Sequence, residues 1–108
     1  MISTVIAMAL AAAPAQASDT TRSAREAFTA CLRAYVESSI ESGKSAETFQ
    51  TEYPQQCATQ ERAFRDAVIR RDTAMRATRA NAEESANLEV EDARINFSER
   101  FEMSMAPQ

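Results

Sequence analysis

A chain of 108 residues, 44% of them hydrophobic, has room for one small domain with a modest core. It has no histidine and a single glycine, so the commonest general base and metal ligand is missing and no glycine-rich phosphate or dinucleotide loop can be built. The formal net charge of −4 disfavours nucleic acid as a partner.

The chain opens MISTVIAMALAAAPAQA, a segment without Asp, Glu, Lys or Arg. An apolar run from Val5 to Ala13 is followed by Pro14 and by Ala15-Gln16-Ala17, an A-x-A cleavage pattern. This is the signature of a removed export signal over residues 1–17. The run is too short to span a bilayer, and no later stretch is apolar enough to do so. Cleavage leaves one mature domain, residues 18–108, in the periplasm or secreted. Eleven Arg against one Lys, with abundant Ala, point to a GC-rich, bacterial genome. An oxidising compartment follows from export, so Cys31 and Cys57, the two cysteines, are expected to pair.

Strand signals are absent and the composition favours helix nearly throughout. The expected fold class is all-α: a small three-helix up-down-up arrangement in which helices 1 and 2 form a disulfide-stapled antiparallel hairpin. The alternative is a hairpin whose second arm is one long helix.

The first helix is expected over residues 21–42. Its stripe is Ala24, Phe28, Cys31, Leu32, Tyr35, Val36 and Ile40, at spacings of three and four. Gly43 suits the left-handed position just past a helix C-terminus. Ser45 is a good N-cap, with Glu47 in the first turn that follows. The second helix is expected over residues 46–77, with a break near Pro54 because an interior proline costs about 3 kcal/mol. One face carries Phe49, Tyr53, Cys57, Gln60, Phe64, Ala67, Val68, Arg71 and Met75.

Cys31 lies thirteen residues before Lys44 and Cys57 thirteen after it. In an antiparallel hairpin turning at Lys44 the two fall side by side, and Tyr35 faces Tyr53. Ala27, Ala30, Ala34 and Ala58 are small enough to let the backbones approach for a disulfide.

The third helix is expected over residues 81–103, with Thr78 or Asn81 as N-cap. Its inward face is Ala82, Ala86, Val90, Ala93, Phe97 and Phe101. Residues 62–79 hold six Arg against two Asp, and residues 83–102 hold seven acids against two Arg, so the two arms attract. All seven aromatic side chains fall on the three stripes and are assigned to the core.

No catalytic residue, metal site or cofactor is expected. Adjacent carboxylates such as Glu83-Glu84 and Glu91-Asp92 diverge by about 100° on a helix and cannot converge on one atom. Two surface features remain. Arg62, Arg65, Arg70, Arg71, Arg76 and Arg79 form a basic stretch that would suit an anionic surface or polyanion. Leu88 and Ile95, seven residues apart, point about 180° away from the inward face of the third helix. Isolated exposed apolar residues are common and need no explanation. Taken together, and flanked by Glu84, Glu91, Glu99 and Glu102, they would form a narrow seam for self-association or for a helical protein partner. The expected function is therefore that of an exported, non-enzymatic helical protein working by protein–protein contact. The alternative is a binder of anionic surfaces through the arginines.

Overall fold

The computed structural model describes residues 13–107. Residues 1–12, most of the expected export signal, lie outside that range. Among the described residues there are four α-helices, one 3-10 turn and no strands. The helices are α1 (Ala13–Glu41), α2 (Ala46–Glu52), α3 (Ala58–Ala74) and α4 (Arg79–Ser104), with the 3-10 turn at Tyr53–Gln55. Helices α1, α3 and α4 pack up-down-up, and α2 closes the end where α1 and α4 finish. None of these helices is long and apolar enough to cross a membrane.

The described part of α1 starts well before the expected Thr21 and takes in Pro14, which sequence reading treats as a break. Proline's fixed φ is compatible with the opening of a helix. The helix ends as Gly43 predicts. Gly43 adopts φ +68°, and the Lys44 and Gly43 amides donate to the Ser39 and Ile40 carbonyls at 3.0 and 3.1 Å. That is a Schellman closure. Ser45 then caps α2, accepting from the Thr48 amide at 3.2 Å.

Pro54 breaks the second arm as expected, but the break is longer than one kink. The chain passes through the 3-10 turn and then through Cys57 at φ +62°, before α3 begins at Ala58. The far end of α3 also closes with a left-handed residue. Here it is Arg76, φ +71°, with the Ala77 and Arg76 amides donating to the Asp72 and Thr73 carbonyls. This turn, at 75–78, divides the stretch that the alternative reading keeps as one long helix. The arm therefore ends at Ala74 rather than at residue 77. Thr78, not Asn81, is the N-cap of α4, and it accepts from the Asn81 amide at 3.1 Å.

The core is one cluster. Phe28, Leu32 and Val36 of α1 meet Phe64, Val68 and Ile69 of α3 and Ala82, Ala86, Val90, Phe97 and Phe101 of α4. Phe49 and Tyr53 cover its upper end, and the Phe49 and Phe101 rings stack at 3.9 Å. Six of the seven aromatics are buried and Tyr35 is half-buried. Two expected stripe residues are outside: Ile40 and Met75 are exposed. Met75 falls in the turn after α3, where the helix face no longer exists. At the end of α1, Ser39 takes the buried place instead of Ile40, its hydroxyl donating to the Tyr35 carbonyl at 2.8 Å. Thr21 is buried, and its hydroxyl donates to the Ala67 carbonyl across to α3 at 3.2 Å.

Cys31 and Cys57 form the expected disulfide, with their Cα atoms 5.9 Å apart. It fastens α1 to the irregular residues just before α3. A cross-link spanning 26 residues restricts the unfolded chain by about 3.5 kcal/mol in the entropic account. Replacing both cysteines by Ser is expected to lower the midpoint of thermal unfolding by more than about 10 °C in a domain of this size, measured by circular dichroism. A shift of a degree or two would show that the cross-link is incidental.

Candidate functional site

Helix α4 has two sides with different tasks. Its inner side reaches the core and the broken arm, and Arg94 is the main charged group there. The Arg94 side chain is only 15% exposed. Its Nε donates to Glu61 Oε1 at 2.6 Å, its Nη1 to the Tyr53 carbonyl at 3.1 Å and its Nη2 to the Gln56 carbonyl at 2.7 Å. The guanidinium also lies over the Phe28 and Tyr53 rings, at 5.4 and 5.5 Å. In return, the Tyr53 hydroxyl donates to the Arg94 backbone carbonyl at 2.6 Å. Sequence reading passes over Arg94, although it lies one turn from both Val90 and Phe97 on the inward side. A charge in that position needs fixed acceptors, and the carbonyls around a proline break provide them.

The outer side carries Leu88 and Ile95. Leu88 is 55% exposed and Ile95 46%. Both project from α4 on the side away from Val90 and Phe97. At about 100° per residue, Glu84 and Glu91 lie to one side of this line and Asp92 and Glu99 to the other, while Glu102 continues it seven residues past Ile95. All five acids are exposed, and none takes part in an ion pair among the described residues. Met103, also exposed, lies about 80° round from Ile95.

Ile95 has a second role that sequence alone does not show. It forms the outer lip of a groove of about 310 Å³ between α4 and the α2–3-10 segment. Phe49, Tyr53, Pro54 and Phe101 line the groove with Ile95, together with the polar residues Gln50, Arg94, Ser98 and Glu102. Tyr53 and Pro54 come to this place because the proline break turns the arm back toward α4. Ile95 thus belongs both to the Leu88–Ile95 line and to the groove, whereas Leu88 lies about two turns away from it.

The six arginines do not converge. Arg62 and Arg71 point about 180° apart on α3. Arg71 pairs with Glu89 at 2.8 Å and with Asp72 at 2.9 Å. Burial works against its charge, but the two carboxylates outweigh it and hold the guanidinium pKa above its ordinary value. Arg65 bonds to Asn87 and lies 3.5 Å from Glu61, and Arg79 pairs with Glu83 at 2.9 Å. Arg76 closes α3, and Arg62 and Arg70 are exposed.

A second cleft of about 420 Å³ lies between α1 and α4, with Phe64 of α3 among its lining residues. Its central charge is Glu89, which is engaged by both Arg25 and Arg71 at 2.8 Å. No group of three metal-ligating side chains comes together among the described residues. Both cysteines are in the disulfide.

No family model, characterised protein or solved structure matches this chain.

Two outcomes test the inner side. Arg94→Ala removes the nearest partner of the Glu61 carboxylate and the side-chain donor to the Tyr53 and Gln56 carbonyls, and is expected to cost about 3 kcal/mol in urea unfolding. Arg94→Lys should recover little, because an ammonium cannot reach three acceptors in one plane. Recovery to within about 0.5 kcal/mol by Lys would show that charge alone matters. The second outcome is alkaline. Burial pushes the Tyr53 phenol up to about 12, against the smaller opposing pull of Arg94. The folded state therefore holds its proton longer than the unfolded state. Stability is full below about pH 10 and falls as pH rises toward 12. Tyr53→Phe should flatten that fall in an unfolding series followed by circular dichroism.

Proposed function

We propose that this chain is an exported, non-enzymatic helical protein that acts through a protein–protein contact on the outer face of α4. The observation that carries the reading is the Leu88–Ile95 line. It is exposed, it runs into an apolar groove, and it is framed by five carboxylates that pair with nothing in the fold. A fold that engages Glu61, Glu83 and Glu89 in ion pairs leaves this set and its apolar centre open. The disulfide fits an oxidising compartment, in keeping with the A-x-A signature at Ala15–Ala17. The lack of histidine supports a binding role over catalysis. The reading that uses the arginines has less support, since Arg65, Arg71 and Arg79 already have partners and Arg62 faces away from Arg71.

The test uses the producing cell. A photo-crosslinking residue in place of Leu88 or Ile95 is expected to give one discrete adduct in the envelope or medium, and one in place of Arg62 none. Leu88→Gln with Ile95→Gln should remove the partner while shifting the thermal midpoint by no more than about 2 °C, as for surface changes. Unfolding of the double variant would mean the two residues are structural. Equal adducts from Arg62 would move the contact to α3. Edman sequencing of the exported protein should begin at Ser18.

A further inference from the structure

Resting on that contact reading, we propose that the occupant of the α4 face is a cationic amphipathic helix of about four turns, with a bulky apolar side chain at one end seated in the Phe49–Tyr53–Phe101 groove. Leu88 and Ile95 are seven residues apart, and Glu102 is seven further on. A repeat of seven keeps one line of a helix facing a second helix. From Leu88 to Glu102 the line runs about 21 Å, the length of four helical turns.

The positions beside that line decide what the second helix carries. Glu84 and Glu91 lie one turn before Leu88 and Ile95, and Asp92 and Glu99 one turn after them. In an apolar helix pair these neighbours would complete the seam; here they are carboxylates. A second copy docked through the same face would set these acids against each other, since a two-fold interface repeats the same patch on both sides. Like charges so placed oppose association. An anionic lipid surface is repelled for the same reason. A helix with Lys or Arg on both flanks of an apolar stripe meets every carboxylate with an opposite charge.

The groove fixes where the largest anchor goes. Its lining combines three aromatic rings, Pro54 and Ile95 with Arg94, whose charge is already paired with Glu61, and it lies beside the last turns of α4. Aromatic anchors in such pockets carry most of the energy of small interfaces. Glu102 and the Gln50 amide at the rim favour a cation next to that anchor.

The probes are three labelled peptides of equal length, stapled to hold them helical. The first carries Leu, Leu and Trp at intervals of seven, flanked by Lys. The second replaces each Lys by Glu. The third keeps Lys and replaces Leu and Trp by Gln. Fluorescence anisotropy with the purified protein should show binding of the first alone, weakened at least about tenfold between about 0.05 and 0.5 M salt. Leu88→Gln with Ile95→Gln should weaken it at least about tenfold, as should neutralising Glu84, Glu91 and Glu102 to Gln. The proposal is overturned if the first peptide does not bind, if the second binds as well, or if the third matches the first. It is also overturned if sedimentation shows a dimer that the Leu88/Ile95 change dissociates. Crosslinking from Leu88 in the cell separates the two levels: an adduct without binding of the basic peptide removes the cationic partner only, whereas no adduct removes the contact itself.

Discussion

The Arg94 guanidinium holds the fold at its least regular point. Pro54 and the left-handed Cys57 interrupt the helix here: the Tyr53 carbonyl accepts only one backbone amide, that of Gln56 in the 3-10 turn, at 3.0 Å, and the Gln56 carbonyl follows at the break. Arg94 takes both, and places its remaining edge against Glu61 in the first turn of α3. Withdrawing a charge from water is costly unless it is paired and bonded, and here it is both. On the other side, Cys57 is fastened to Cys31 of α1. Residues 53–57 are thus held from two directions, by a covalent bond to α1 and by a fan of hydrogen bonds to α4. The three long helices find their register through this one segment.

The parts of the fold that were legible in the sequence are those set by period and by end signals. Gly43, Ser45 and Thr78 mark helix ends through local backbone chemistry, and they act here as they do elsewhere. The symmetry about Lys44 brought Cys31 to Cys57 and Tyr35 to Tyr53, whose rings lie 6.1 Å apart. Lys44 itself fastens the turn, with Nζ 3.0 Å from Glu52 and 3.3 Å from the Tyr35 hydroxyl. Less legible were positions whose role depends on distant partners. Arg94 and Glu61 read as surface charges until the carbonyls of the broken arm are placed beside them. Arg76 carries no sign of a left-handed residue, because glycine is the usual mark of that conformation. Met75 and Ile40 continue a stripe on paper after the helix or its neighbour has ended. The groove was hidden for the same reason, since two of its walls belong to the proline turn.

Bulk charge was informative in sign and misleading in detail. Basic residues 62–79 and acidic residues 83–102 do lie on neighbouring helices. Yet between these two segments the pairing runs through Arg71 and Glu89, with Arg79 and Glu83 closing a pair within α4 and Arg65 turning to Asn87. Arg25 of α1 shares Glu89. Attraction between the arms thus uses acids that already sit near the core, and each exposed pair contributes little. The acids on the far side of α4 are beyond reach of α3. Their charge is therefore a property of the surface and not of the fold.

Arg94 and Ile95 are consecutive residues, about 100° apart on one helix. Arg94 holds Tyr53 in place from within, and Ile95 faces Tyr53 and Pro54 across the groove. The inner clamp and the outer lip thus act on the same turn of chain. Anything that loosens residues 53–57 moves two walls of the groove while leaving Leu88 and the carboxylates where they are. The disulfide has the firmest hold on that segment. Oxidation therefore contributes twice: it restrains the unfolded chain, and it keeps the aromatic end of the α4 face in shape. The apolar line exists wherever α4 is folded, whereas the groove that ends it also depends on residues 53–57, which Arg94 and the Cys31–Cys57 bond hold together.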